Sequence, residues 1–419
     1  MKKRLFFPLG LLFPLALTSC GSGAPQPDPT YDYSYFNGIC ALSGEFNNGV
    51  DRGLTNEWTA SRVKALKAKS CRIWIAMSGL FSVGEEDDLT VNQIYYNVML
   101  DHIEKLKEAG VENFLLMFTA FVYPTGYSTS TGYVVPNPKE EYDYYIRFLN
   151  LNAEAAKQII TMFPEIKNYE PGNEPDPEYP GCIHKNGYVH GGNEYINKDF
   201  CYLPEEKISI INDLCWYVRR AVKSVDPKAK VVYPGLTNQI DLTNFVDLVY
   251  KKIESHTLPA GQQYSDTNPD NYFDVLNWHP YPNTRQVNGT VIDWIKWVND
   301  NKAVYDVVKK HNDNGKEVYF SEIGWTDFGT SSESTLNQIA SNYTTAFRYI
   351  KEEMPWVTVV FPFRLTNLKY QALDQTGGEE NFGLFYHPDD DLHHGSPKPA
   401  ADAVAKIYNG ENYDLDAHL

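Results

Sequence analysis

The stretch Ile166-Lys-Asn-Tyr-Glu-Pro-Gly-Asn-Glu-Pro175 reads as a short strand, Ile166–Asn173, that runs into a Pro- and Gly-containing stop and leaves polar groups at its carboxyl end. One helical pattern precedes it, Glu141–Phe163, and another follows, Pro204–Val225. The alternation extends both ways. Strand-like runs rich in apolar and β-branched residues recur at Asn37–Leu42, Ser70–Met77, Val111–Phe121, Lys230–Leu236, Phe273–His279, Glu317–Ile323 and Thr358–Arg364, eight in all. Helical patterns fall between them at Trp58–Lys69, Tyr95–Ala109, Leu242–Glu254, Val291–His311 and Ser334–Glu353, and Pro399–Tyr408 follows the last strand. Eight such alternations, with no repeat and no composition break between them, predict an α/β protein whose parallel strands close into a (β/α)8 TIM barrel, a single domain over residues 36–419. A doubly wound open sheet is the competing arrangement.

In such a barrel the side chains that meet a ligand collect where strands end and the following loops begin. Polar groups stand at those places: Glu45 after the first run, Asn173 and Glu174 after the fourth, His279-Pro-Tyr281 after the sixth, and Glu322-Ile-Gly-Trp325 after the seventh. A period of two puts Asn277, His279 and Tyr281 on one side of their strand, and Phe320, Glu322 and Gly324 on one side of theirs. Several polar groups should therefore converge on one mouth.

Composition narrows the partners. The 419 residues carry 54 acids against 37 Lys plus Arg, a net charge of −17, which argues against nucleic acid as a partner. Rings are abundant, with 30 Tyr, 21 Phe and 8 Trp, and ring faces suit sugar-binding clefts. The first twenty residues join Lys2, Lys3 and Arg4 to an apolar run from Leu5 to Leu17, too short to span a bilayer comfortably but suited to a secretory signal. A Gly/Pro tether follows, Gly21 to Pro29. Of the remaining cysteines, Cys40 and Cys71 read as small core residues and Cys215 as an unpaired helical one. Cys182 and Cys201 flank a polar loop and form a candidate disulfide for an exported protein.

Leu17-Thr-Ser-Cys20 resembles the lipobox of bacterial lipoproteins. The resemblance implies removal of residues 1–19, acylation of Cys20, a tether over residues 20–35, and attachment to the outer membrane or cell surface through lipid alone. Tyr169-Glu-Pro-Gly-Asn-Glu-Pro175 and Tyr319-Phe-Ser-Glu-Ile-Gly-Trp325 together resemble the clan A glycoside hydrolases, retaining enzymes built on a β/α barrel. By that resemblance Glu174, after Asn173 at the end of the fourth strand, is the acid/base, and Glu322, ending the seventh, is the nucleophile. Asn173 would bond the sugar 2-hydroxyl. Arg72, in Cys71-Arg-Ile-Trp-Ile75, would keep Glu322 ionised, the alternative being an ion pair with Glu170 at the barrel floor. Tyr281 would donate to Glu322, and His279 would touch sugar or carboxylate. Asn381-Phe-Gly-Leu-Phe-Tyr386 and Ser396-Pro-Lys-Pro-Ala400 resemble the clan's tail, so the likeness covers residues 36 to 408. Where many members end the eighth strand in Trp, this chain has Phe361-Pro-Phe-Arg-Leu365; Phe363, with Trp325 and Trp74, would then supply the ring faces.

Such a pair of carboxyls has a chemical reason. Glycosidic cleavage must protonate the leaving oxygen while a negative charge meets the anomeric carbon, so one Glu starts neutral and the other ionised. The expected activity is endo-cleavage of β-linked polysaccharide or oligosaccharide outside the cell by a monomer without metal or cofactor. Long loops at Tyr123–Pro138 and Asp176–Leu203 would wall the cleft. The sequence lacks a phosphate-binding Gly-x-x-x-x-Gly-Lys loop, a His-Glu-x-x-His pair and a Gly-x-Ser-x-Gly elbow. Asp389-Asp-Asp-Leu-His-His394 reads as a solvated charge run rather than a metal site. A surface glycan-binding protein that kept the barrel but lost turnover is the alternative function, and a metal-dependent barrel hydrolase a third.

Overall fold

A computed structural model describes residues 31–41, 54–129, 133–175, 183–186, 200–237, 241–282, 291–329, 332–368 and 381–419. Eight parallel strands form in the order read from the sequence: β1 Gly38–Cys40, β2 Ser70–Ala76, β3 Asn113–Thr119, β4 Asn168–Glu170, β5 Lys230–Val231, β6 Val275–Asn277, β7 Glu317–Ile323 and β8 Val357–Pro362. A helix follows each: α1 Asn56–Leu66, α2 Gln93–Glu108, α3 Tyr142–Met162, α4 Pro204–Val225, α5 Leu242–Glu254, α6 Trp294–Lys310, α7 Glu333–Glu353 and α8 Pro399–Asn409. An antiparallel hairpin, Phe81–Val83 with Leu89–Val91, sits between β2 and α2. All these elements belong to one compact unit, Tyr31–Leu419.

Strands β1 to β5 pair in sequence order, as do β6 to β8. Parallel bridges Val232↔Val275 and Asn37↔Val360 join the two sheets at both seams, so the strands make a (β/α)8 ring rather than an open doubly wound sheet. Side-chain oxygens start many of the helices by accepting from first-turn amides: Thr55 for α1, Asn92 for α2, Asp241 for α5, Asp293 for α6 and Ser332 for α7. Pro204 and Pro399 open α4 and α8, where a missing amide hydrogen costs nothing.

Burial follows the alternation of the strands. Cys40, Leu115, Val232, Val275, Tyr319, Val359 and Phe361 pack inside the ring, while the larger apolar layer lies between strands and helices. Cys71 and Cys215 belong to that outer layer. Among the described residues no helix is long and apolar enough to cross a membrane.

The β1–β8 seam depends on Gly38. A Cβ there would stand 2.6 Å from the Val360 carbonyl oxygen, which is backbone and cannot swing aside, and 2.7 Å from the buried Phe361 ring, both closer than real Cβ atoms approach. Gly38→Ala should therefore lower stability by about 1–3 kcal/mol, as overpacking does. It would be read as a fall in the urea midpoint at unchanged slope; an unchanged midpoint would show that the seam yields.

Candidate active site

One guanidinium organises the carboxyl end of the barrel. Arg72 projects from β2 into the interior, fully buried. Its Nε donates to Glu170 Oε2 at 2.8 Å, and its Nη2 to Glu170 Oε1 at 3.0 Å and to Asn173 Oδ1 at 2.7 Å. Its Nη1 donates to Glu322 Oε1 at 2.6 Å. Both alternatives for Arg72 hold at once, because the fork of donors is wide enough to serve two carboxylates. Glu170 is satisfied further by the Gly235 amide at 2.9 Å and Asn277 Nδ2 at 3.0 Å.

The two glutamates of the motifs meet above this ion pair. The Tyr281 hydroxyl donates to Glu322 Oε2 at 2.9 Å. His279, fully buried on β6's continuation, places Nδ1 2.8 Å from Glu174 Oε1 and 3.6 Å from Glu322 Oε2, with Nε2 2.9 Å from Ser321 Oγ. Glu174 has a positive φ of 42°, and its amide donates to the Gly235 carbonyl at 3.0 Å, which ties the loop after β4 to the end of β5. Its side chain keeps 26% exposure while that of Glu322 keeps 7%, so Glu174 lies on the open side.

The electrostatics separate the groups. Burial pushes the Glu322 carboxyl up, but the charges of His279 and Arg72, with the hydrogen bonds from Arg72 and Tyr281, outweigh it and hold the group below the ordinary glutamate value. Burial alone would strip His279 of its proton, yet Glu322 and Glu174 draw its pKa above the usual imidazole value against the opposing charge of Arg72. Arg72 is disfavoured by burial and restored by Glu170 and Glu322, so it stays charged.

Donor atoms of Glu174, His279 and Glu322 lie within 4.8 Å of one another, the one such cluster among the described residues. A cation there would displace hydrogen bonds from each ligand and face the Arg72 guanidinium across Glu322, so the set suits proton and charge handling rather than metal binding. The run Asp389 to His394 forms no such cluster. His393 stacks on Tyr386 at 3.9 Å and Asp390 caps the turn.

The period-two reading of β7 needs correction. Val360 faces Phe320 while Pro362 faces Ile323, so β7 carries one residue more than β8 between those pairs, a bulge that falls on Ser321 and Glu322. Phe320 consequently points outward, packing on Trp278 and Trp356, while Ser321 and Glu322 both turn inward. Trp325 is also misplaced by the sequence reading. It is 1% exposed, edge-on to Tyr343 at 4.9 Å and to Trp294 at 6.3 Å, so its ring is spent on the helix layer and offers no face to a sugar. Phe363 is half-buried at the end of β8, 5.7 Å from Phe382, which in turn lies 6.1 Å from Tyr281. Trp74, two positions beyond Arg72, is half-buried with its indole nitrogen unpaired among the described residues.

Ser321 and Gly235 escaped the sequence reading: the bulge hid the first, and a glycine's missing side chain gives no pattern. Asn277 was visible through its parity with His279. Glu45, Cys20 and Cys182 lie outside the described residues, and with Cys182 the candidate pairing to Cys201.

No family model matches the chain and no curated protein sequence matches it. Solved structures do resemble it. A family 39 glycoside hydrolase from Bacteroides cellulosilyticus WH2 superposes with a TM-score of 0.54 at 15% identity over 90% of this chain, which spans 64% of that longer protein. A family 39 β-xylosidase from Caulobacter crescentus gives 0.56 at 14% identity, over 90% of this chain and 72% of that one. A family 5 enzyme from Prevotella bryantii B14 gives 0.55 at 10% identity, over 91% and 99%. At such identities the likeness is one of fold, and the chain is a TIM barrel of the kind these enzymes use.

Proposed function

We propose that the chain is a retaining glycoside hydrolase that cleaves β-linked polysaccharide or oligosaccharide outside the cell by double displacement, endo-acting and monomeric. The observation that carries this reading is the meeting of a buried, ionised carboxylate with a second, more open one at a single mouth. Glu322 is buried and held ionised by Arg72, His279 and Tyr281; Glu174 faces the open side with its oxygen within 4.8 Å of the same cluster. A retaining mechanism needs the carboxyls about 5–5.5 Å apart, with no room for a water between nucleophile and sugar.

In this mechanism Glu322 attacks the anomeric carbon as Glu174 protonates the leaving oxygen, giving a glycosyl ester on Glu322. That ester removes one negative charge from the site, so Glu174 then takes a proton from the attacking water and the ester is hydrolysed. Asn173 is oriented by Arg72 through its Oδ1, and no acceptor meets its amide nitrogen among the described residues, so it can donate to a sugar hydroxyl. The structurally similar glycoside hydrolases of families 39 and 5 favour the same class. Trp74 and Phe363 are the remaining candidates for ring contacts to sugar. The whole catalytic body, residues 36–419, would be held at the outer membrane or cell surface by acylated Cys20 after loss of residues 1–19, through the tether at residues 20–35.

Two experiments test this. On a panel of β-glucans, mannans, xylans and galactans, wild type should release products while Glu322→Ala is inert. Glu174→Gln should lose about 10²–10⁴-fold on natural substrates and far less on aryl glycosides whose leaving group needs no proton. Full activity in Glu322→Ala removes it as nucleophile, and binding without turnover by all three proteins favours a glycan-binding role. For the anchor, Cys20→Ser should move the protein from the membrane fraction to the soluble one; sedimentation unchanged by the substitution means no acyl chain is involved.

A further inference from the structure

Behind His279 lies a device that the double displacement does not itself require. Nε2 of His279 meets Ser321 Oγ at 2.9 Å, and both groups are fully buried. The space they occupy exists because position 235 has no side chain: a Cβ on Gly235 would fall 2.2 Å from His279 Nε2 and 2.9 Å from Ser321 Oγ. The same glycine fixes the neighbouring acids through its backbone, its amide donating to Glu170 and its carbonyl accepting from the Glu174 amide. Ser321 is itself held, its amide donating to Asn277 Oδ1 at 3.2 Å and its carbonyl accepting from Cys40 Sγ at 3.2 Å.

We propose that Ser321, given room by Gly235, is a positioning residue that sets where the proton shared by His279 and Glu174 resides. This rests on the glycosidase reading for its consequence in turnover, but not for its chemistry. The groups facing His279 are Glu174 from the loop after β4, Glu322 from β7, Arg72 from β2, and Tyr281 on its own segment after β6. A proton shared across the 2.8 Å contact of Glu174 Oε1 with His279 Nδ1 would give either a carboxylic acid beside a neutral imidazole or a carboxylate beside an imidazolium. When His279 carries it, both ring nitrogens are donors, and Ser321 Oγ is the only acceptor found at Nε2 among the described residues. A hydroxyl can also turn its hydrogen to a neutral Nε2, so Ser321 serves both states, but its bond to the imidazolium is charge-assisted and the stronger. Ser321 therefore favours the imidazolium state and delays loss of the shared proton as pH rises. In this proposal, loss of the His279 proton sets the alkaline limb of the rate profile.

Ser321→Ala tests this, since it removes the hydroxyl and keeps the backbone. Histidine Cε1 is followed by NMR through a pH titration, with His279 assigned by difference against His279→Gln. The His279 midpoint should fall by about one unit in Ser321→Ala. The alkaline limb of kcat/KM should move with it to lower pH, with KM little changed. Ser321→Cys, a weaker acceptor of the same shape, should fall between, and it carries the test if the alanine variant melts early. Identical His279 midpoints in wild type and both variants overturn the proposal. The titration needs no turnover: should wild type cleave no glycan, the glycosidase reading fails while the role of Ser321 is still decided by the NMR midpoint.

Discussion

A positive charge enclosed in a ring of strands is the constraint on which this structure turns. Arg72 has no exposure, and an unpaired guanidinium there would cost several kcal/mol after relaxation. It is tolerable only because Glu170 takes two of its donors and Glu322 a third. The pairing is unequal. Glu170 is closed off by Gly235 and Asn277 and has become part of the barrel's framework, whereas Glu322 sits at the edge of the cluster with one oxygen on Tyr281. The inner pair offsets the burial of Arg72, which frees Arg72 to act on Glu322. One strand position therefore serves both the fold and the charge state of the mouth.

Most of the architecture was legible because it follows from periodicity. Eight runs of strand character and eight helical patterns all became the elements expected, since a strand covered on both faces must be apolar throughout and a surface helix must be amphipathic. Asn173, Glu174, His279, Tyr281 and Glu322 meet because they follow or end neighbouring strands of one ring, and Arg72 reaches them from inside it. What the pattern could not carry was local departure from it. The bulge in β7 adds one residue, and everything beyond Ser321 changes side relative to a strict period of two. Without that bulge Glu322 would point with Phe320 into the helix layer. The placement of Glu322 thus depends on an irregularity that no hydrophobic pattern encodes.

Ring content misled for a related reason. An aromatic fraction of 14% suggested ring faces for sugar, yet most of the large rings serve the layer between barrel and helices. Trp356 stacks on Tyr305 at 4.6 Å and tilts against Trp278 at 5.3 Å; Trp216 stacks on Tyr264 at 3.8 Å; Trp294 and Trp297 of α6 form a chain with Trp325 after β7. In a ring of eight strands the outer layer is wide, and a flat side chain fills it with few voids while its polar atom reaches a partner, as Trp278 does on Asn301 and Trp297 on the Pro280 carbonyl. The hydrogen bond from Trp297 has a further effect. It pins Pro280, the residue between His279 and Tyr281, to α6, so helix packing outside the barrel fixes the backbone that presents both side chains inside. Through that link the aromatic layer reaches the carboxylates after all, as their scaffold rather than as a surface for sugar.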